Sequence, residues 1–130
     1  MARSILVVDD AENTRGILTF ILKSKGFEVA LATNGEEALE KFRARTPDLV
    51  VLDAMMPKVS GYEVCSVIKA DERTRKIPVI MLTAQSEQAG ETVSRWKDEL
   101  RPDEVMGKPF KVQELLARIE QLLAVPKGTP

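Results

Sequence analysis

Hydrophobic residues in this chain form short, largely unbroken runs that are separated by longer stretches of mixed polarity. The runs occupy residues 4–8, 27–32, 49–52 and 77–82, and a weaker one lies at 103–106. Apolar runs of this length are typical of strands buried on both faces, as in a parallel sheet covered by helices. We therefore predict five β-strands.

The stretches between these runs repeat apolar residues every three or four positions, which predicts amphipathic helices. Gly26 indicates the C-terminal end of the first helix, Asn34 the N-cap of the second, Gly61 the start of the third and Ser86 the N-cap of the fourth. In chain order the apolar stripes are Ile17, Leu18, Ile21 and Leu22; Ala38, Leu39 and Phe42; Val64, Val67 and Ile68; Ala89, Val93, Trp96 and Leu100; and Val112, Leu115, Leu116, Ile119, Leu122 and Leu123.

Five strand–helix units predict one α/β domain over residues 1–124. Right-handed crossovers would place helices on both faces of a five-stranded parallel sheet. We expect the flavodoxin-like (βα)5 fold with strand order 2-1-3-4-5. Residues 125–130 are expected to be a tail or the start of a linker, so that the domain either stands alone or precedes an output segment.

Polar side chains follow the predicted strands at their C-terminal ends. Asp9 and Asp10 follow the first strand, Asp53 the third, and Thr83 and Lys108 the fourth and fifth. In the expected order the first and third strands are neighbours, and open α/β sheets bind ligands in the crevice at their carboxyl ends. We therefore expect these five side chains at one edge of the sheet.

Three carboxylates in one crevice repel one another, and a hard divalent cation relieves that repulsion. Mg²⁺ prefers oxygen ligands and is often held by one or two carboxylates together with phosphate oxygens. We predict Asp10 and Asp53 as direct ligands and Asp9 as a ligand through water, because adjacent residues on a strand point apart. The backbone carbonyl of Met55 is a further candidate ligand.

The same residues suit phosphoryl transfer, which depends mainly on alignment and charge neutralisation. A carboxylate can attack phosphorus to form an aspartyl-phosphate, and Asp53 is the best candidate because it stands alone at the end of the central strand. The Lys108 ammonium would neutralise phosphoryl charge, and the Thr83 hydroxyl would donate a hydrogen bond. Taken singly, Asp10 could instead cap a helix, and Thr83 could be a strand-end hydroxyl.

Composition narrows the range of functions. The 19 basic and 20 acidic side chains leave a net charge of −1, which argues against non-specific binding to nucleic acid or a membrane. The absence of histidine excludes Ser-His-Asp catalysis and histidine zinc sites. The single cysteine, Cys65, fits a reducing, cytoplasmic location, and we interpret it as a packing residue. Trp96 is equally compatible with covering the sheet and with anchoring a partner.

Four motifs resemble those of the response-regulator receiver domains of bacterial two-component signalling. They are ILVVDD at 5–10, VVLDAMMPKVSGYEV at 50–64, PVIMLTA at 78–84 and GKPF at 107–110. The resemblance covers almost the whole chain, and the motifs are specific through their order and spacing.

This resemblance implies a role for each polar residue at the strand ends. Asp53 would be the phosphoacceptor, Asp9 and Asp10 the metal-binding acids, Thr83 the switch hydroxyl and Lys108 the phosphate counter-charge. The donor would be a histidine kinase or a phosphotransfer protein, and the reaction would need Mg²⁺. Such a domain is a signalling switch and not an enzyme, although it can react with small phosphodonors and lose its own phosphoryl group.

The signal would leave through the face made by the fourth helix, the fifth strand and the last helix. A downstream protein, an output domain or a second copy of the chain could bind there, and we expect no direct contact with nucleic acid or a membrane. Two departures from the family pattern fall on this face. Val105 stands three residues before Lys108, where receivers usually carry Tyr or Phe, and Arg101 and Pro102 replace a familiar Gly-Ala.

Two other functions are weighed against the switch. A phosphohydrolase with an aspartyl-phosphate intermediate usually has a second acid two residues after the nucleophile, and that position is Met55 here. An interaction module whose acids no longer react is opposed by the intact set of polar residues at the strand ends.

Overall fold

The computed structural model describes residues 3–54, 60–84, 103–108 and 110–124, with the backbone alone at Ala84 and Lys108. Strands and helices alternate through these residues. In chain order they are β1 Ser4–Val8, α1 Glu12–Ser24, β2 Glu28–Ala32, α2 Gly35–Ala44, β3 Leu49–Asp53, α3 Gly61–Ala70, β4 Val79–Ala84, β5 Glu104–Lys108 and α4 Val112–Ala124.

The five strands form one parallel sheet in the order β2-β1-β3-β4-β5. The predicted flavodoxin-like topology is therefore confirmed. The register places Val8 beside Leu52 and Asp53 beside Leu82, so the carboxyl ends of β1, β3 and β4 lie at the same edge. This arrangement brings the polar residues that follow β1 close to the end of β3.

The core consists of two apolar layers, one on each face of the sheet, because successive side chains of a strand point to opposite faces. One layer joins the sheet to α1 and α4 through Ile5, Val7, Leu49, Val51, Ile80, Leu82, Leu18, Leu22, Leu115, Ile119 and Leu123. The other joins it to α2 and α3 through Leu6, Val8, Val50, Leu52, Val79, Met81, Ala38, Phe42, Val64, Cys65 and Ile68. The central strands are consequently buried on both faces, which explains their unbroken apolar sequence.

Local signals in the sequence set several helix ends. Gly26, just after α1, has a φ of 92°, a left-handed conformation that glycine adopts without strain. The Asn34 side chain caps α2 by accepting a hydrogen bond from the Glu37 backbone N–H at 2.9 Å, as predicted. Ser60 caps α3 in the same way, by accepting the Glu63 N–H at 3.3 Å.

The predicted inner faces of α1 and α3 need correction. Ile17 is 54% exposed and Val67 is 41% exposed, and Phe20, also on α1, is 77% exposed. Only Leu18 and Leu22 of α1 are fully buried, with Ile21 partly covered. Each helix therefore covers the sheet with a narrower stripe than its apolar residues suggest, since apolar residues are common on protein surfaces.

Three strands end later than predicted. β3 extends to Asp53, β4 to Ala84 and β5 to Lys108, so Asp53, Thr83 and Lys108 belong to the strands themselves. Thr83 does not end β4, because its pairing with β5 continues through Thr83–Gly107 and Ala84–Lys108.

The predicted helix at 86–100 and the tail at 125–130 lie outside the described residues. No helix in the described part of the chain has both the length and the apolar character needed to cross a membrane.

Candidate functional site

Three carboxylates converge at the edge where β1 and β3 end. One carboxylate oxygen from each of Asp9, Asp10 and Asp53 lies within 4.8 Å of those of the other two. Asp9 and Asp53 are buried and Asp10 is exposed, so the cluster opens to solvent on the side of Asp10. The sequence predicted this convergence of residues more than 40 positions apart.

Asp9 and Asp10 both belong to the cluster, although neighbouring residues on a strand point apart. The reason is that β1 ends at Val8, so both acids lie on the short loop to α1. Oδ1 of Asp9 accepts a hydrogen bond from the Ala11 backbone N–H at 2.8 Å. This bond ties the Asp9 side chain to the residue just before α1, within the loop that carries both acids.

The alternative interpretation of Asp10 as a helix cap is wrong. The N-cap residue of α1 is Ala11, whose own side chain makes no capping bond. The Asp10 carboxylate instead belongs to the acidic cluster.

Asp53 is the last residue of the fully buried strand β3. The next residue, Ala54, donates its backbone N–H to Leu82 O at 2.8 Å and accepts a hydrogen bond from Gly61 N–H at 3.1 Å. These bonds fix the end of β3 between β4 and the start of α3. The side chain of Asp53 is only 5% exposed, so its carboxylate is held at the bottom of the cleft.

Thr83 and Lys108 are at the same edge of the sheet. Thr83 follows Leu82, the partner of Asp53, and its side chain is 6% exposed. Lys108 is the last residue of β5 and pairs with Ala84. The backbone thus brings Lys108 to the end of the sheet that carries the acids, while Met55 lies outside the described residues.

The donor set of the cluster consists of carboxylate oxygens, which are the ligands that hard divalent cations prefer. Three negative charges at this separation repel one another, and the burial of two of them strengthens the repulsion. A divalent cation bound by Asp9, Asp10 and Asp53 would neutralise most of this charge. The residues present therefore fit Mg²⁺.

Cys65 is fully buried in the layer between the sheet and α3. Burial raises the pKa of its thiol to about 11, with the Lys69 ammonium acting in the opposite direction and the Asp103 carboxylate in the same one. A thiol that stays protonated and has no access to solvent is a poor nucleophile. These properties support the interpretation of Cys65 as a packing residue.

Sequence reasoning missed two polar contacts of long side chains. Nζ of Lys69 donates to Arg75 O and Ile77 O, each at 3.0 Å, and to Asp103 Oδ2 at 2.7 Å. Nη1 of Arg15 donates to the Asp9 carbonyl at 2.7 Å. Neither contact has a sequence signal, because a charged residue on a helix is normally solvated.

Val105, the residue that departs from the family pattern, is partly buried and packs against the layer that contains Met81 and Val79. It fills its place on β5 with a smaller side chain than an aromatic ring.

The chain is similar along most of its length to one family of domains. The family model described as the response regulator receiver domain matches residues 5–120. The alkaline phosphatase synthesis transcriptional regulatory protein PhoP of Bacillus subtilis is 40% identical over 123 residues, which are 95% of this chain and 49% of PhoP. The chain spans about half the length of the curated relatives it matches.

Solved structures show the same similarity. The signal receiver domain of a signal transduction histidine kinase from Syntrophus aciditrophicus superposes with a TM-score of 0.89 at 32% identity, covering 99% of this chain and 96% of that one. The response regulator protein TrrA from Thermotoga maritima, in complex with Mg²⁺ and BeF, has a TM-score of 0.77 at 38% identity, covering 92% and 98%.

Proposed function

The chain belongs to the family of response regulator receiver domains, and on that premise we propose that it is a phosphorylation-dependent signalling switch whose phosphoacceptor is Asp53. The observation that carries the proposal is the convergence of Asp9, Asp10 and Asp53 within 4.8 Å at the end of β3. A histidine kinase or a phosphotransfer protein would donate the phosphoryl group, because the chain itself contains no histidine.

In the proposed reaction a carboxylate oxygen of Asp53 attacks the phosphorus atom of the donor. The new O–P bond forms as the P–N bond of a phosphohistidine breaks, and the imidazole leaves with the electrons of that bond. The end of β3 suits this step, since Asp53 is 5% exposed and the backbone of the next residue, Ala54, is bonded both to Leu82 and to Gly61.

We propose that Mg²⁺ is the cofactor of this step, held by Asp9, Asp10, Asp53 and the backbone carbonyl of Met55. When bound, it would offset the negative charge of the carboxylates and of the incoming phosphoryl oxygens. The Lys108 ammonium would add a counter-charge from the end of β5, and the Thr83 hydroxyl would donate a hydrogen bond to a phosphoryl oxygen.

The new group adds a charge of about −1.5 to −2 at Asp53. Thr83 and Lys108, on β4 and β5, would interact with this charge and stabilise an active conformation that exists before phosphorylation. The altered surface would involve β5, α4 and the predicted helix at 86–100, and its partner would be a downstream protein, an output domain or a second copy of the chain. Val105 occupies the position where receivers usually carry an aromatic residue. The conformational change at β5 would therefore not include a rotamer change of an aromatic ring at that position.

The test is a phosphate-affinity gel after incubation with acetyl phosphate and Mg²⁺. We expect a retarded band for the wild-type chain, and no such band for Asp53→Asn or in excess EDTA. Asp71→Asn is the matched control, because Asp71 follows the C-terminal end of α3, at the opposite end of that helix from Asp53. A retarded band that persists in Asp53→Asn would disprove the assignment of the phosphoacceptor.

The phosphohydrolase alternative predicts multiple turnovers of a small phosphate ester, whereas the switch predicts at most one stable phosphoryl group per chain. The interaction-module alternative predicts no Mg²⁺ binding and no phosphorylation. A time course of phosphate release from an excess of a small phosphate ester, run beside the acetyl phosphate gel, therefore separates all three functions.

A further inference from the structure

Arg15 makes a contact with the acidic cleft that neither the sequence motifs nor the proposed chemistry uses. It lies at the end of the first turn of α1, where its backbone N–H donates to Ala11 O at 3.1 Å. Its side chain turns back over the loop, and Nη1 donates to the backbone carbonyl of Asp9 at 2.7 Å. The guanidinium is therefore next to a residue of the acidic cluster and is partly buried.

This contact completes the anchoring of Asp9. The backbone N–H of Asp9 donates to Ala32 O at the end of β2, at 3.1 Å, and its carboxylate accepts the Ala11 N–H. The carbonyl is the remaining polar group of the Asp9 backbone, and Arg15 binds it. The short loop that carries both Asp9 and Asp10 is thus attached to β2 on one side and to α1 on the other.

An arginine at this place has two opposite effects on a cation in the cleft. Its positive charge repels Mg²⁺, which weakens binding. Its hydrogen bond holds the loop in the conformation that brings the carboxylates together. This strengthens binding, because the loop then loses less conformational entropy when the metal binds. Nη1 contacts a carbonyl oxygen, so this bond occupies none of the carboxylate oxygens that a metal would use.

We propose that Arg15 is a positioning residue for the metal site, and that its bond to the Asp9 carbonyl holds Asp9 and Asp10 ready to bind Mg²⁺. This inference rests on the proposed function, because it assumes that the acidic cluster takes Mg²⁺. It assigns to α1 a part in metal affinity through a residue that would not itself be a ligand.

The experiment measures Mg²⁺ binding to the full chain by isothermal titration calorimetry. Arg15→Met removes both the charge and the hydrogen bond while keeping most of the apolar stem. Arg15→Lys keeps the charge, but its shorter side chain ends before the position of Nη1. Arg43→Met is the matched control, since Arg43 is an exposed arginine in the last turn of α2.

We expect the Mg²⁺ dissociation constant to rise about tenfold in Arg15→Met, the usual effect of losing a group that orients a ligand. Arg15→Lys should also bind more weakly than the wild type, and Arg43→Met should bind equally well. The Mg²⁺ concentration for half-maximal phosphorylation by acetyl phosphate should shift by the same factor, while the rate at saturating Mg²⁺ changes little. A general loss of structure would instead lower that plateau rate.

Unchanged or tighter Mg²⁺ binding by Arg15→Met would overturn the inference, because removal of a repelling charge alone has that result. If Arg15→Met does not fold, Arg15→Lys decides: weaker binding supports the positioning role, and equal binding overturns it. The two failures are distinguishable. If the proposed function is wrong, the wild-type chain will not be phosphorylated by acetyl phosphate, whatever the affinity of the variants for Mg²⁺.

Discussion

Gly61 lies directly against the backbone of Asp53. A Cβ atom at position 61 would overlap the Asp53 carbonyl oxygen, and it would be 2.8 Å from Ala54 Cα, a separation that real Cβ atoms essentially never show. The same glycine donates its N–H to Ala54 O at 3.1 Å and begins α3. The start of this helix is therefore packed on the residue that we propose to be phosphorylated, and only glycine leaves room for it.

Gly61→Ala should destabilise the fold and the site together. The added methyl group has to push α3 away from the end of β3, and overpacking of this kind costs about 1–3 kcal/mol of unfolding free energy. Urea denaturation measures the loss, and the rate of phosphorylation by acetyl phosphate should fall as well because Asp53 moves.

Gly16→Ala is the matched control for this substitution. A Cβ at Gly16, on the exposed side of α1, meets no atom within 4 Å. Alanine should therefore stabilise the helix by about 0.5–1 kcal/mol. Equal effects at positions 61 and 16 would contradict the close approach at Gly61.

Asp10→Asn should change stability in opposite directions without and with Mg²⁺. In EDTA the substitution removes one of three mutually repelling carboxylates, so the free energy of unfolding should rise by about 1 kcal/mol. At a Mg²⁺ concentration 100 times the dissociation constant, the wild type should gain about 2.7 kcal/mol and become the more stable protein. Paired urea denaturations in the two buffers measure both effects, and the same order of stability in both buffers would argue against a metal site.

Thr83→Ala should separate phosphorylation from the response to it. The nucleophile and the acids are intact in this variant, so the rate of phosphorylation should fall by no more than about tenfold, the contribution of one hydrogen bond. Backbone amide shifts of β4 and β5 on addition of beryllofluoride and Mg²⁺ should be much smaller than in the wild type. Thr83→Ser keeps the hydroxyl and should respond like the wild type, and a full response in Thr83→Ala would exclude a switch role for this residue.

Stability should fall in alkaline solution through Cys65. The pKa of its thiol is about 11 in the folded chain, against 9.0 for an unperturbed thiol, so between these pH values the unfolded chain loses a proton that the folded chain retains. The free energy of unfolding therefore falls as the pH rises, and the Cys65 thiol should lower it by up to about 1.4 kcal/mol per pH unit. Urea denaturation from pH 8 to 11 measures the slope, and Cys65→Ala, although less stable overall, should have a shallower one. Equal slopes would show that the thiol titrates alike in both states.

Sequence alone determined the strand order and the identity of the acids in this protein. Unbroken apolar runs such as residues 49–52 can be buried only between two layers of helices, and the alternation of strands and helices then leaves few topologies. Once the order was fixed, Asp9, Asp10 and Asp53 had to meet, because the carboxyl ends of neighbouring parallel strands share one edge.

Only the tertiary structure decided which apolar residues of a helix are covered and which contacts support the site. Ile17 and Val67 are exposed although each lies in the apolar stripe of its helix, since the residues that a helix buries depend on how it packs on the sheet. Gly61 approaches the Asp53 backbone closely, and Arg15 binds the Asp9 carbonyl. Both contacts are between parts of the chain whose separation depends on loop conformation. Hydrophobic periodicity encodes which elements form and how they are ordered, whereas distances of a few ångströms between loops are set only when those elements pack.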